Sequence, residues 1–334
     1  MNSHTFYKQT FTSETSHQLV GILDSIDFKS LNLEEHNLDY IEKMKPNFFY
    51  YIQMFDYAIN TLIKDDDIDN KWIIDFGGGH GFLSLFLKLK GFRVIYCDFN
   101  INSVQTIKKI AEHIGFGPDY YVHGSSSDVL AFIKEKDLNI DYLISTDTIE
   151  HIFDLEEMFY NFHLINSSLN MLFTTASNPK NFIKAKQLRK LMNKDEIEEN
   201  IPNRRKYLAE IYHDLTDEEL NDLANNSRGL RYVDLPEYVK FYEENRSFKK
   251  IEIDAYNCCE PEFGSWMERI LPLEDYIDLG KKYDYNLEIK NGFFNSLDKK
   301  SVKKILVEQI NNFMVCNKTF GIYLAPFITL KYSK

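Results

Sequence analysis

The segment Trp72-Ile73-Ile74-Asp75-Phe76-Gly77-Gly78-Gly79-His80-Gly81 constrains this chain more than any other. An apolar run ends in an acid, glycines recur at Gly77, Gly79 and Gly81, and Phe82-Leu83-Ser84-Leu85-Phe86-Leu87-Lys88 follows. That order reads as a buried parallel strand, a tight turn and a helix start. Glycine suits the turn because a side chain would hold the backbone away from a ligand, and some turn positions need positive φ. The helix start beyond offers unpaired N–H groups and a positive dipole end to negative charge.

Glycine spacing selects the ligand. The dinucleotide fingerprint G-x-G-x-x-G places a third glycine five residues after the first. Starting at Gly77 puts Phe82 at that position, and starting at Gly79 puts Ser84 there, so neither frame fits. The pattern D-x-G-x-G-x-G fits at all four positions, Asp75, Gly77, Gly79 and Gly81. Here the chain resembles the class I S-adenosylmethionine-dependent methyltransferases. Such a site needs a second acid for ribose hydroxyls at the end of the next strand. Phe92-Arg93-Val94-Ile95-Tyr96-Cys97-Asp98 ends in one, 17 residues after Gly81.

Composition suits an intracellular enzyme. The 334 residues allow one large domain with an insertion or two small ones. Cys97, Cys258, Cys259 and Cys316 show no C-x-x-C spacing and no disulfide framework, which fits a reducing compartment. Met1-Asn2-Ser3-His4-Thr5-Phe6 lacks the layout of a signal peptide, and no apolar run approaches a membrane span. A cytoplasmic protein with no membrane partner is expected. The net charge of −12 repels phosphate backbones and makes nucleic acid a poor partner. Oligomeric state is not legible.

Residues 1–70 carry no strand signal. Phe48, Tyr51, Ile52, Phe55, Ala58, Ile59 and Leu62 recur at helical steps, with Pro46 suited to the first turn. An N-terminal helical segment beside the cofactor site, or one that only buttresses the sheet, is expected. From Lys71 strands alternate with helices: Trp72–Phe76, Arg93–Asp98, Tyr120–His123, Tyr142–Ser145 and Met171–Thr175 read as strands. This predicts an α/β fold, a doubly wound and mostly parallel sheet, with ligands beyond the carboxyl ends of its strands. The resemblance implies seven strands in a Rossmann-like methyltransferase core. Its cofactor-binding part would span 71–179, a helical insertion or lid 180–265, and the rest of the core 266–334. Within the insertion, Thr216-Asp217-Glu218-Glu219 is a capping box, and Pro236 marks another helix start. Leu273–Lys282 and Ser301–Phe313 read as helices. Tyr285–Ile289 and Phe320–Leu324 read as the last strands, the final one limited by Pro326.

The resemblance covers 71–178 well and 270–330 loosely, and it implies site roles residue by residue. Gly77, Gly79 and Gly81 would line the methionine part of S-adenosylmethionine, and Asp75 would help hold its amino group. Asp98 would take the ribose hydroxyls, with Phe99 against the adenine. Many relatives carry an acid after the third strand for the adenine amino group; Ser125 and Ser126 stand there in this chain.

Asp141-Tyr142-Leu143-Ile144-Ser145-Thr146-Asp147-Thr148-Ile149-Glu150-His151-Ile152 resembles the fourth strand and turn of ubiquinone-biosynthesis type small-molecule O-methyltransferases, where Glu-His recurs. Those relatives continue their fifth strand into Thr-Thr-Pro-Asn; Thr174-Thr175-Ala176-Ser177-Asn178-Pro179 is similar, with the proline displaced. On a helix beginning near Asp147, that acid, Glu150 and His151 would share one side. His151 is then a candidate general base toward an acceptor hydroxyl, and Asp147 belongs to the cofactor side. The same trio allows a divalent cation that lowers the acceptor's pKa, although no metal is expected. A third reading is a capping box, Asp147-Thr148-Ile149-Glu150, with no chemistry at all.

Lys180 to Lys206 carries nine basic against four acidic residues. It reads as an amphipathic lid helix with a solvated basic face, or as recognition of an anionic substrate through Arg forks. The expected activity is methyl transfer from S-adenosyl-L-methionine to a small polar acceptor at a hydroxyl oxygen, a sugar or an anionic metabolite being compatible. The rivals are a catalytically silent S-adenosylmethionine-binding protein and a nicotinamide-dependent oxidoreductase, which the glycine spacing disfavours.

Overall fold

The computed structural model describes residues 13–63, 68–251, 256–296 and 301–334. Met1–Phe6, weighed above for a signal peptide, lies outside them. The chain divides into two compact units. The first comprises the described residues up to Thr148, with Glu156–Ala176 and Glu274–Lys334; the second comprises Ile149–Leu155 and Ser177–Leu273.

The first unit is built on one seven-stranded sheet. Its strands are β1 (Trp72–Phe76), β2 (Arg93–Asp98), β3 (Tyr120–His123), β4 (Tyr142–Thr146), β5 (Asn170–Thr175), β6 (Asn286–Asn291) and β7 (Ile328–Ser333). Their order is β3-β2-β1-β4-β5-β7-β6. Strands β1 to β5 pair in parallel, while β7 runs antiparallel to both β5 and β6. This is the doubly wound, mostly parallel sheet expected of a Rossmann-like fold. Ile73, Ile74, Val94 and Ile95 are wholly buried, as unbroken apolar runs are when helices cover both faces. The chain leaves β1 toward β2 on one side and returns to β4 on the other. That reversal opens a crevice at the carboxyl ends of the strands.

Among the described residues, the helices α1 (Glu14–Ser25), α2 (Glu35–Met44) and α3 (Phe48–Leu62) precede the sheet. Pro46 lies in the 3-10 turn Lys45–Asn47 that leads into α3. Leu19, Leu23, Ile52 and Ala58 from these helices share one core with Ile73, Phe86, Val94 and Ile144. A buried carboxylate ties this bundle together. Asp56 accepts from Ser13 N at 2.8 Å, Ser16 Oγ at 3.1 Å and Lys90 Nζ at 2.8 Å, so its charge is buried but paired. The remaining helices of the unit are α4 (Phe82–Leu89), α5 (Ile101–Ile114), α6 (Ser126–Lys136) and α7 (Leu155–Ile165) within the alternation, then α12 (Leu273–Lys282), α13 (Ser301–Cys316) and the single turn α14 (Lys318–Gly321).

The second unit is helical. Its elements are α8 (Phe182–Asp195), a π-helical turn Glu196–Asn200, α9 (Ile201–Ile211), α10 (Asp217–Asn226) and α11 (Leu235–Asn245). Leu208, Leu220, Leu223, Leu235 and Val239 form one core, and the Thr216–Glu219 capping box opens α10. Among the described residues of the chain, no helix is long and apolar enough to cross a membrane.

Three sequence expectations are corrected. Phe320–Leu324 is not a strand: Phe320, Tyr323 and Leu324 are exposed, and β7 starts two residues after Pro326. Proline's missing N–H is harmless there, just ahead of a ladder whose Ile328, Leu330 and Tyr332 are fully buried. No helix begins at Asp147, whose φ of 50° is left-handed; a single 3-10 turn, Ile149–His151, stands in its place. Finally, Arg204 is not a surface anion ligand. It is fully buried, bonds Glu196 with Nη2 and donates to the Ala224 carbonyl at 3.2 Å.

Candidate functional site

The loop from β1 to α4 is held from beneath by β2. The amides of Gly77 and Gly78 donate to the Cys97 carbonyl at 2.9 and 3.0 Å. The Gly79 amide donates to Asp98 Oδ2 at 2.8 Å, and the Tyr96 hydroxyl donates to the Gly79 carbonyl at 2.6 Å. Gly77, Gly79 and Gly81 all have positive φ, where a Cβ is strained. Their surroundings differ sharply. A Cβ on Gly77 would lie 2.3 Å from Thr148, and one on Gly81 would lie 2.3 Å from Ile107. A Cβ on Gly79 would meet nothing within 4 Å. The outer two glycines admit neighbouring protein, and Gly79 alone faces open space.

Asp98 closes β2. Its Oδ1 accepts from the Asn100 amide at 2.8 Å, and burial raises its pKa against the lowering effect of the Asn100 and Gly79 amides. Phe99 follows at 60% exposure, its carbonyl 3.0 Å from His123 Nε2. Asp75 is 1% exposed and shares a 2.6 Å hydrogen bond with the Ser84 hydroxyl. Burial pushes its carboxyl up to about 7, the Asp98 charge adds to this, and the Ser84 bonds oppose it. Its Oδ1 is buried without a hydrogen-bond partner among the described residues. A buried unpaired oxygen is costly and marks a place where a ligand donor would be welcome.

The serines after β3 serve the chain itself. Ser125 caps α6 in a capping box with Asp128, and its hydroxyl lies 2.8 Å from that of Ser127. Ser126 is buried and accepts from Asn161 Nδ2 at 3.0 Å. Asp147 follows β4, exposed, with its amide donating to the Thr174 carbonyl at 3.0 Å. Thr148 bonds back to the Gly77 carbonyl at 3.3 Å, so the β4 turn and the glycine loop touch within one unit.

Glu150 and His151 lie in the 3-10 turn Ile149–His151, whereas Asp147 precedes it in left-handed geometry, so the three are not residues of one helix. Among the described residues, no group of three His, Cys, Asp or Glu side chains could hold a metal ion. His151 is half-buried and its Nδ1 donates to the Trp266 carbonyl at 2.7 Å. In the neutral ring that bond places the proton on Nδ1 and leaves the lone pair on Nε2, the arrangement a base requires.

Sequence reasoning missed the aromatic surroundings of the loop. Tyr40 of α2 stacks on His80, with centroids 4.8 Å apart and planes 16° apart. Burial, aided by His36, lowers His80 to about 4, so its ring is neutral at physiological pH. Tyr51 of α3 has its pKa raised by burial and by the Asp147 charge. No local pattern announces these pairings, because each joins positions far apart in the chain.

No family model matches the chain, and no curated protein matches it. Solved structures of S-adenosylmethionine-dependent methyltransferases resemble it. Phosphoethanolamine N-methyltransferase 2 of Haemonchus contortus, in complex with S-adenosyl-L-methionine, aligns at 11% identity over 84% of this chain and 52% of its own, with a TM-score of 0.41. This chain thus spans about half the length of that protein. A methyltransferase of Archaeoglobus fulgidus aligns at 13% identity over 88% of this chain and 94% of its own, with a TM-score of 0.38. Similarity at this level assigns neither substrate nor chemistry, so function is read from this chain's own residues.

Proposed function

We propose that this chain is a class I S-adenosylmethionine-dependent methyltransferase that acts on a small polar molecule at a hydroxyl oxygen. The observation that carries this reading is the closure of the Gly79 amide on Asp98, with open space where a Gly79 Cβ would stand. It leaves a backbone surface with no side chain beside a carboxylate at the end of β2. A carboxylate has about four acceptor sites, so after bonding Gly79 and Asn100 it retains capacity for two ribose hydroxyls. Phe99 offers an exposed ring to an adenine face. The unpartnered Oδ1 of Asp75 suits the amino group of the methionine part. Asp147 directly follows β4, at the carboxyl edge of the sheet toward which β1 and β2 carry Asp75 and Asp98. Ser125 and Ser126, their hydroxyls already engaged, contribute shape at the adenine end.

When bound, S-adenosylmethionine supplies an electrophilic methyl group on a sulfonium sulfur. The chain's own work is to orient the acceptor and take up its proton. His151 would receive it at Nε2, as the Trp266 carbonyl holds the other ring nitrogen protonated. The helical unit would select the acceptor and exclude water. Slower hydrogen exchange across 177–273 on adding donor and acceptor would support that role. Full protection in the free protein would mark a rigid structural domain instead.

Calorimetry should show binding of S-adenosylmethionine and S-adenosylhomocysteine and none of nicotinamide dinucleotides. Tight NAD binding without S-adenosylmethionine binding would sink the reading. Transfer of labelled methyl to an acceptor pool separates an enzyme from a silent binding protein.

A further inference from the structure

His151 sits on a support that its proposed role as a base does not by itself explain. Residues 258–267 form a small hairpin: Met267 N donates to the Cys258 carbonyl at 3.0 Å and Glu260 N to that of Ser265 at 2.9 Å. The segment 150–153 is laced to this hairpin. Trp266 N donates to the His151 carbonyl at 3.0 Å, Arg269 N to that of Glu150 at 3.2 Å, and Trp266 Nε1 to that of Phe153 at 3.3 Å. The imidazole completes the exchange by donating from Nδ1 to the Trp266 carbonyl.

The rings reinforce the backbone. Phe153 and Trp266 stack with centroids 5.4 Å apart and planes 5° apart. A guanidinium lies over each ring, that of Arg231 4.0 Å from the Phe153 centroid and that of Arg269 4.7 Å from the Trp266 centroid. Arg231 is itself held by both oxygens of Asp234, at 2.9 and 3.1 Å. Gly264, at φ 79°, turns the hairpin where a Cβ would lie 2.5 Å from Arg231 Cδ. Trp266 is 3% exposed and therefore has little freedom to move.

We propose that Trp266 is a positioning residue for His151. Its stacked indole fixes the carbonyl that selects the Nδ1–H tautomer and so presents Nε2 as the base. A base oriented by a third group is the general arrangement of activated sites, and here the third group is a main-chain carbonyl immobilised by ring stacking. The proposal rests on the reading of His151 as the base. It makes a claim about tautomer and orientation that is measured without turnover.

The test is long-range ¹H–¹⁵N correlation of the full chain with labelled histidine at a pH where the ring is neutral. His151→Asn identifies the signal. The parent protein should show a single Nδ1–H tautomer. Trp266→Ala should lose that pattern and show the mixed tautomers of a solvated imidazole, while Trp266→Phe should keep it. Arg269→Met, which removes one cation and keeps the bulk, should give a partial loss and serves if Trp266→Ala does not fold. An Nε2–H tautomer in the parent, or an unchanged Nδ1–H pattern in a folded Trp266→Ala or Arg269→Met, would overturn the proposal. Donor binding by calorimetry tests the methyltransferase reading separately.

Discussion

The Gly79 amide donates to the Asp98 carboxylate at 2.8 Å, across a gap of 19 residues, and binds the turn after β1 to the end of β2. A glycine whose outer side is open is thereby held beside an acid that keeps spare acceptor capacity. The side chain that shapes the loop is also the one proposed to recognise the ribose.

Asp98→Ala should therefore weaken binding of S-adenosylhomocysteine by roughly 10- to 100-fold. Hydrogen bonds to a charged group contribute about 1.5–3 kcal/mol, and the loop loses its anchor as well. Asp98→Asn, which retains one acceptor oxygen, should lose less. Isothermal calorimetry at fixed ionic strength decides this, and unchanged affinity in Asp98→Ala would remove the residue from the donor site.

The glycines should separate by phenotype. Gly81→Ala combines left-handed strain of about 1–2 kcal/mol with overpacking against Ile107 of about 1–3 kcal/mol. It should lower the melting temperature clearly. Gly79→Ala bears only the strain, since its Cβ enters open space, and should instead lose donor affinity. Thermal melts paired with calorimetry would show whether the two effects divide this way; equal destabilisation with equal binding would contradict it.

Asp75 makes stability depend on pH. Burial pushes its folded pKa up to about 7, above the ordinary carboxylate value of 3.8. Between these values the folded state holds a proton that the unfolded chain has released, so the contribution to stability falls as pH rises. It is fully present below about 4 and gone once pH passes about 7. Asp75→Asn, which carries no charge to bury, should gain stability over the parent at pH 8 and show a flatter profile. Parallel denaturant titrations at pH 5 and pH 8 measure the difference, and parallel profiles for the two proteins would refute it.

His151→Ala should lower methyl transfer by roughly 10²- to 10⁴-fold with S-adenosylhomocysteine affinity unchanged. Loss of activity on adding chelator would instead support the divalent-cation reading of Asp147, Glu150 and His151. Near-normal turnover in the variant at saturating donor would leave positioning as the source of catalysis.

The central sheet was legible because its signals are local. Trp72–Phe76 and Arg93–Asp98 are largely apolar runs with an acid at or next to the last position, and glycine spacing is a property of neighbouring residues. The turn after β4 misled for the same reason. Asp147-Thr148-Ile149-Glu150 has the local chemistry of a helix cap, but Asp147 is drawn into left-handed geometry by its amide's bond to Thr174, and Thr148 is tied to Gly77. Those partners lie 27 and 71 residues away along the chain.

Sequence alone thus determined the order of the five parallel strands and the helices between them, the placement of Asp75 and Asp98 near the ends of β1 and β2, and the backbone freedom of the loop between them. Tertiary structure decided what each residue faces. It made Gly79 the open glycine and gave Ser125 to a helix cap. It buried Arg204 against Glu196, and it set the tautomer of His151 through Trp266, 115 residues distant. Backbone propensity and periodicity act over a few residues and are written locally. Burial, close approach and the partner of a polar atom depend on which distant segments the fold brings together.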